Sequence, residues 1–172
     1  LGDVYKRQTE IIDIYQDIIA IEFRSYNNNR RIRSMSVVNE LINAQGESLE
    51  FGNYELGAKT KKDGFEFQGD IYKIKTFNEI TKLEKNGMFV YESVPGTAVH
   101  GFKADENDVT FVVEGPENAS ITLELEPETE YKVHVDDVYV GKNKTNLGGK
   151  MSISVDLEEG RPVKVDVKRA FD

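Results

Sequence analysis

The sequence predicts an all-β protein: a β-sandwich with an N-terminal β-meander. Three observations support this prediction. Apolar and polar residues alternate with a period of two in many short segments, turn residues separate these segments, and no long helical pattern follows Met35. Such alternation is typical of half-buried strands, and short strands at regular spacing favour a sandwich or open barrel over an α/β enzyme.

The first 34 residues differ in character from the rest. "LGDVYKRQ" resembles a peptide that recurs at the ends of translated metagenomic fragments, where adapter sequence is translated. Arg30 and Arg31 can be encoded AGGAGG, a ribosome-binding sequence, three codons before Met35. We therefore expect residues 1–34 to be a non-native translated leader, helical or disordered, with the protein beginning at Met35. The alternative is an amphipathic helix with an apolar stripe of Ile11, Ile14, Ile18 and Ile21.

The segments that follow Met35 continue as short strands. "VVNELINAQGESLEF" could form either a short helix or a hairpin, whereas "FGNYELG", "FEFQGDIYKIKTF" and "EITKLEK" have strand character. We predict an N-terminal β-meander over residues 35–103 and an immunoglobulin-like β-module over residues 104–172. A single continuous sandwich is the alternative.

The clearest hairpin lies in "LEKNGMFVYE". Asn86 and Gly87 form the residue pair preferred in a two-residue type I′ turn, which is the strongest short-range hairpin pattern. A two-residue loop at this place predicts that Leu83 lies opposite Val90.

A second hairpin is predicted in "TEYKVHVDDVYVGK", with Asp136 and Asp137 in the turn. The expected cross-strand pairs are Val135 with Val138, His134 with Tyr139, and Val133 with Val140.

The last strand, "PVKVDVK", is expected at the edge of a sheet. Lys164 and Lys168 would then discourage aggregation through that edge, because charged side chains blunt edge pairing.

Two resemblances accompany these patterns. The run "YKVHVDDVYVGKNKTNLGGKMSISVDLEEGRPVKVDV" resembles a PEGA-type or immunoglobulin-like β-module. The segment "FGNYELGAKTKKDGFEFQGDIYKIKTFNEITKLEKNGMFVYESVPGTAVHGF", together with that run, resembles a group of small all-β bacterial proteins of gut anaerobes, some of which carry an automatic endosialidase label. The resemblance implies an all-β fold and a carbohydrate-related activity.

Composition limits the partners and the chemistry. The chain has 31 acidic against 22 basic residues and a net charge of −9, which opposes binding to nucleic acid and to anionic membranes. No apolar run approaches the ~20 residues of a membrane helix. The chain contains no cysteine, which excludes disulfides, thiolate nucleophiles and zinc–thiolate sites. We expect a cytoplasmic protein without a cofactor or a metal.

The residues after Met35 argue against sialidase chemistry. A sialidase binds the substrate carboxylate with a cluster of arginines, because paired guanidinium groups hold a planar anion best. Only Arg161 and Arg169 follow Met35, one on each side of the strand "PVKVDV". We therefore reject the endosialidase label as a description of this chain's chemistry.

The other candidate residues are few, and for each the ordinary structural interpretation is favoured. His100 and His134 are the only histidines, and no Gly-x-Ser-x-Gly motif supports a catalytic triad. We expect His134 to be an exposed neighbour of Tyr139. "ADENDV" could hold calcium but lacks the glycine and distal glutamate of an EF-hand loop, and "NLGGK" lacks the spacing of a phosphate-binding loop. We assign no catalytic, cofactor-binding or metal residue.

These arguments favour a non-catalytic, cytoplasmic β-sandwich binding or scaffold protein that acts through a protein partner. The alternative is a carbohydrate-related accessory protein or glycoside hydrolase. A hydrolase needs a cleft with convergent polar groups and perturbed carboxyls, whereas an interaction module needs an exposed apolar patch or an open sheet edge.

Overall fold

The computed structural model describes residues 2–33 and 37–171, with side chains at 2–22 and 37–171. The chain forms two units, Leu1–Met35 and Ser36–Asp172, and each is described by itself below.

The first unit is a helix, α1, over Gly2–Arg33. Its 32 residues correspond to a rod of roughly 48 Å. The isoleucines of the predicted stripe, Ile11, Ile14, Ile18 and Ile21, are all exposed. In the part of the chain that the structure describes, no helix combines the length and apolar character needed to cross a membrane. Met35, the predicted first residue of the protein, lies outside the described residues.

The second unit is built of antiparallel strands, so the all-β prediction is confirmed. The strands are β1 Ile42–Gln45, β2 Ser48–Phe51, β3 Thr60–Phe67, β4 Asp70–Phe77, β5 Ile80–Lys85, β6 Met88–Val94, β7 Ala98–Ala104, β8 Asp108–Glu114, β9 Ala119–Glu124, β10 Glu130–Val135, β11 Val138–Lys144, β12 Lys150–Val155 and β13 Val163–Arg169. "VVNELINAQGESLEF", for which helix and hairpin were both open, supplies the hairpin of β1 and β2.

The strands form two sheets that enclose one core. The seven-stranded sheet has the order β1-β2-β7-β8-β13-β10-β11, and the six-stranded sheet has the order β12-β9-β6-β5-β4-β3. Strands β3 to β6 form a β-meander. The boundary expected between residues 103 and 104 falls inside β7, and the segments on both sides of it contribute strands to both sheets. β6 pairs with β9, and β7 pairs with β8, across this boundary. The predicted division into a β-meander at 35–103 and a separate β-module at 104–172 is therefore corrected to one continuous sandwich.

Aromatic rings fill the centre of the core. The ring of Tyr91 in the six-stranded sheet meets those of Phe51 and Phe111 in the seven-stranded sheet edge-on, at centroid distances of 5.3 and 5.7 Å. Phe102 packs edge-on against Phe51 at 5.4 Å. Edge-to-face pairs of this kind add roughly 0.5–1.5 kcal/mol to the stabilisation from buried area.

A chain of buried hydroxyl groups links β4, β5 and β6 to the start of β7. Thr97 Oγ1 lies 2.8 Å from the hydroxyl of Tyr91 and 2.7 Å from Ser93 Oγ. Thr81 donates to the carbonyl of Thr97 at 2.8 Å, and its Oγ1 lies 2.8 Å from that of Thr76. Each of these residues is fully buried. The hydrogen bonds offset the cost of removing the hydroxyl groups from water.

The turn at Asn86 and Gly87 is confirmed, but the register predicted beyond it is wrong by one residue. Both residues have positive φ, 51° and 77°, as a type I′ turn requires. Leu83 lies opposite Tyr91, not Val90. The reason is a β-bulge, in which Val90 is an extra residue on β6.

The second hairpin repeats this arrangement. Its turn residues, Asp136 and Asp137, have φ of 49° and 64°. The pairs Val135–Val138 and His134–Tyr139 form as predicted, whereas Val133 lies opposite Gly141 instead of Val140. Val140 is the extra residue of a bulge at the same position of the return strand.

Strand β13, expected at a sheet edge, is an internal strand. It pairs with β8 on one side and with β10 on the other. Lys164 and Lys168 therefore do not protect an edge. Lys164 instead bonds Asp137 at 3.0 Å.

Candidate functional site

The edge strand β11 presents apolar side chains to solvent. Val138, Tyr139 and Val140 are 63%, 53% and 58% exposed. β11 is the last strand of the seven-stranded sheet, and among the described strands it pairs with β10 alone. An edge strand offers unpaired N–H and C=O groups to any further strand, and exposed apolar residues at such an edge mark a pairing site.

The other edge strands carry features that discourage pairing. β1 has only four residues. β3 exposes Lys61 and Asp63, and β12 exposes Lys150, Ser152 and Ser154. Short length and charge are the usual protections of an edge. β11 also exposes Lys142 and Lys144 in its second half, so it is the apolar run Val138–Val140 in its first half that favours association.

A crevice with a mixed apolar and polar lining lies beside β11. Its volume is ≈ 250 Å³. Four branched apolar side chains line it, Val133, Val135, Val140 and Ile153, together with Gly141, Asn143, Ser152 and Ser154. A strand added to β11 would place alternate side chains over this crevice, because successive side chains in a strand point to opposite faces.

A second candidate is a cleft at one end of the sandwich. It comprises two cavities of ≈ 480 and ≈ 430 Å³, both lined by Val90, Phe102, Ala104 and Asp105. The turn "ADENDV", considered above as a calcium site, forms part of its rim. Asp105 Oδ1 accepts hydrogen bonds from the backbone N–H groups of Asn107 and Asp108. The carboxylate thus closes the turn, and the described residues contain no cluster suited to a metal ion.

The cleft carboxyls with shifted pKa values remain ionised at neutral pH. The backbone hydrogen bond from Asn107, followed by that from Asp108, lowers the pKa of Asp105. The hydrogen bond from Lys85 lowers the pKa of Asp70, with Asn86 adding to the effect. A glycosidase needs one carboxyl with a raised pKa to protonate the leaving group. Neither of these two carboxyls meets that requirement.

A polar cluster that the sequence did not suggest lies on the outer face of the seven-stranded sheet. His100 Nδ1 is 3.2 Å from Glu50 Oε2, and Glu50 Oε1 accepts from the side-chain amides of Asn43 and Gln45. Burial raises the pKa of Glu114, and the nearby charge of His100 opposes that rise. Within the described residues, Nε2 of His100 has no hydrogen-bond partner. No nucleophile–histidine–acid triad is therefore assembled at His100.

The two remaining sequence candidates lie in a strand and in a turn. His134 is half-buried, not exposed as expected, because it lies between Asp166 on β13 and Tyr139 on β11. The segment "NLGGK" is a turn, as predicted, in which Asn146 Oδ1 accepts from the backbone N–H groups of Gly148 and Lys150.

The two arginines of the sandwich are far apart. Arg161 precedes β13 and bonds Glu158, whereas Arg169 ends β13. At about 3.4 Å per residue, the strand separates their backbones by roughly 25 Å. This distance agrees with the argument against a carboxylate-binding arginine cluster.

No protein-family description, curated protein or solved structure matches this chain.

Proposed function

We propose that the protein is a non-catalytic binding or scaffold protein of the cytoplasm that acts through a protein partner, and that β11 is its binding element. The observation that carries the proposal is the exposed apolar run Val138–Val140 on a free sheet edge. The occupant we assign is an extended segment of a partner protein, added as an eighth strand to the seven-stranded sheet.

Binding of this kind separates affinity from specificity. Main-chain hydrogen bonds to the free edge provide affinity whatever the partner's sequence, and pockets for alternate side chains select among sequences. The crevice supplies such a pocket, since Val133, Val135 and Ile153 are among its lining residues. We therefore expect the partner segment to carry apolar residues at alternate positions.

The experiment begins with peptides selected on the immobilised full chain from a random display library. Their affinities are then measured for the wild type, for Val140→Lys and for Ile71→Lys. Val140 and Ile71 are similarly exposed, at 58% and 51%, but Ile71 lies on the internal strand β4. We expect Val140→Lys to weaken binding by about tenfold or more, because an edge lysine opposes strand addition. The Ile71→Lys control should bind like the wild type.

Two results would contradict the proposal. One is equal weakening in both variants. The other is dimerisation of the chain through β11, because a second copy of the chain would then be the occupant of the edge. Sedimentation velocity with and without peptide distinguishes that case.

The hydrolase alternative has its own assay. The full chain is incubated with polysialic acid and with sialyl-lactose, and released sialic acid is measured. We expect no release, because the sandwich places its two arginines at opposite ends of β13. Turnover that a single carboxylate replacement abolishes would support the hydrolase instead.

A further inference from the structure

Four lysines on the outer face of the six-stranded sheet line one depression, and we call them the lysine cluster: Lys61, Lys73, Lys75 and Lys82. Strand register fixes their arrangement. Lys61 on β3 lies opposite Lys75 on β4, and Lys75 lies opposite Lys82 on β5. Since neighbouring strands are about 4.8 Å apart, three ammonium-bearing side chains stand in a row roughly 10 Å long. This concentration of positive charge occurs in a chain with a net charge of −9.

The lysine cluster surrounds a small depression. Its volume is ≈ 160 Å³, and the four lysines and Glu84 are its lining residues. The strand register places Glu84 opposite Lys73 and Glu92 opposite Lys82, so the uncompensated charge is centred on Lys61 and Lys75. Tyr72, Ile74 and Thr76, which alternate with the lysines along β4, point into the core and fix Lys73 and Lys75 on the outer face.

The protein neutralises only part of this charge. Lys82 Nζ bonds Glu84 Oε1 at 3.0 Å, and Lys73 Nζ lies 3.7 Å from Asp63 Oδ2. Lys61 and Lys75 make no ion pair with any residue that the structure describes. Like charges directly opposite each other in a sheet are destabilising. An anion in the depression would remove that repulsion.

We propose that the lysine cluster is a binding site for a small multivalent oxyanion of the pyrophosphate type. A lysine ammonium is a compact point charge with three donors, suited to phosphate oxygens that point in several directions. The depression is smaller than the roughly 300–1,000 Å³ of pockets that enclose drug-sized ligands. The overall negative charge also disfavours a long phosphate backbone. A small, highly charged ion fits both constraints.

The chain contains a second lysine row that serves as an internal control. Lys168, Lys132 and Lys142 lie opposite one another on β13, β10 and β11. These lysines do not line the depression. If pyrophosphate were attracted to surface lysines in general, substitutions in either row would weaken its binding equally. If the depression is a specific site, only substitutions in the lysine cluster should weaken binding.

The test is calorimetric titration of the full chain with inorganic pyrophosphate at about 50 mM salt, where surface charges are only partly screened. Lys75→Gln should weaken binding about tenfold or more, because one charge-assisted contact is lost. Lys132→Gln, the matched control, should change the affinity less than about twofold. Glu84→Gln should strengthen binding, because it removes the carboxylate that competes with the anion.

Thermal unfolding provides an independent readout. Pyrophosphate should raise the Tm of the wild type and of Lys132→Gln, because a ligand of the folded state stabilises it by mass action. It should raise the Tm of Lys75→Gln much less. Lys61→Gln, at an edge strand, replaces Lys75→Gln if that variant does not fold. The proposal would be overturned if Lys75→Gln and Lys132→Gln weakened pyrophosphate binding equally. It would also be overturned if the wild type showed no binding at about 1 mM pyrophosphate, a concentration at which even a weak ligand binds.

Discussion

Replacing Thr97 by valine tests the buried hydroxyl chain of the core. The substitution keeps the shape of the side chain and deletes the oxygen that contacts both Tyr91 and Ser93, at 2.8 and 2.7 Å. A hydrogen bond contributes about 0.5–1.5 kcal/mol net, and a buried polar group left without a partner costs about 1–3 kcal/mol. Both hydroxyl groups lose this partner but can still contact each other, so we expect the free energy of unfolding to fall by about 1–3 kcal/mol.

The assay is urea unfolding with linear extrapolation, in which the midpoint should fall while the m-value stays constant. Thr97→Ser keeps the hydroxyl and separates its loss from the loss of the methyl group. Thr122→Val is the matched control, because Thr122 Oγ1 also bonds a serine, Ser152, at 2.8 Å but is exposed to water. We expect that control to change stability by less than about 0.5 kcal/mol. Equal losses in Thr97→Val and Thr122→Val would refute the reasoning.

Two further predictions concern a turn and a buried acid. Gly87→Val should lower the free energy of unfolding by roughly 1 kcal/mol or more, because valine resists the φ of +77° at this position. A Cβ at Gly87 would meet no heavy atom within 4 Å, so the loss would come from backbone strain and not from a clash. Gly57→Val, without positive φ, should be nearly neutral in the same urea titration. Burial raises the pKa of Glu114 in the folded state above its ordinary value of 4.5. Below pH 4.5 the neutral Glu114 therefore makes its full contribution to the free energy of unfolding, and this contribution is lost as pH rises through the pKa of the folded state. Glu114→Gln should be more stable than the wild type at pH 7, with the difference vanishing near pH 4, and a gain independent of pH would contradict the assignment.

Local patterns predicted the elements of the sandwich well. Alternation identified the strands, and the pairs at residues 86–87 and 136–137 identified two turns, because turn chemistry depends on neighbouring residues alone. Register was predicted less well. The bulges at Val90 and Val140 each insert one residue into the return strand, and nothing in "MFVYE" or "VYVGK" distinguishes the extra residue from its neighbours.

Features that depend on strand order could not be predicted from the sequence. Alternation in "PVKVDVK" is the same for an internal strand with a charged outer face and for an edge strand, so the position of β13 was predicted wrongly. The contact between Glu50 and His100 joins residues fifty positions apart and depends on the pairing of β2 with β7. The lysine cluster was missed for the same reason, since the strand register brings Lys61, Lys75 and Lys82 together.

The most direct test of the central claim is amide hydrogen exchange of the full chain with and without a selected peptide. An added strand would hydrogen-bond to the free edge, so exchange should slow at Val138–Lys144. The edge strands β3 and β12 should exchange as before. Protection confined to the end cleft around Phe102 and Asp105, with β11 unchanged, would contradict strand addition and place the binding site in the cleft.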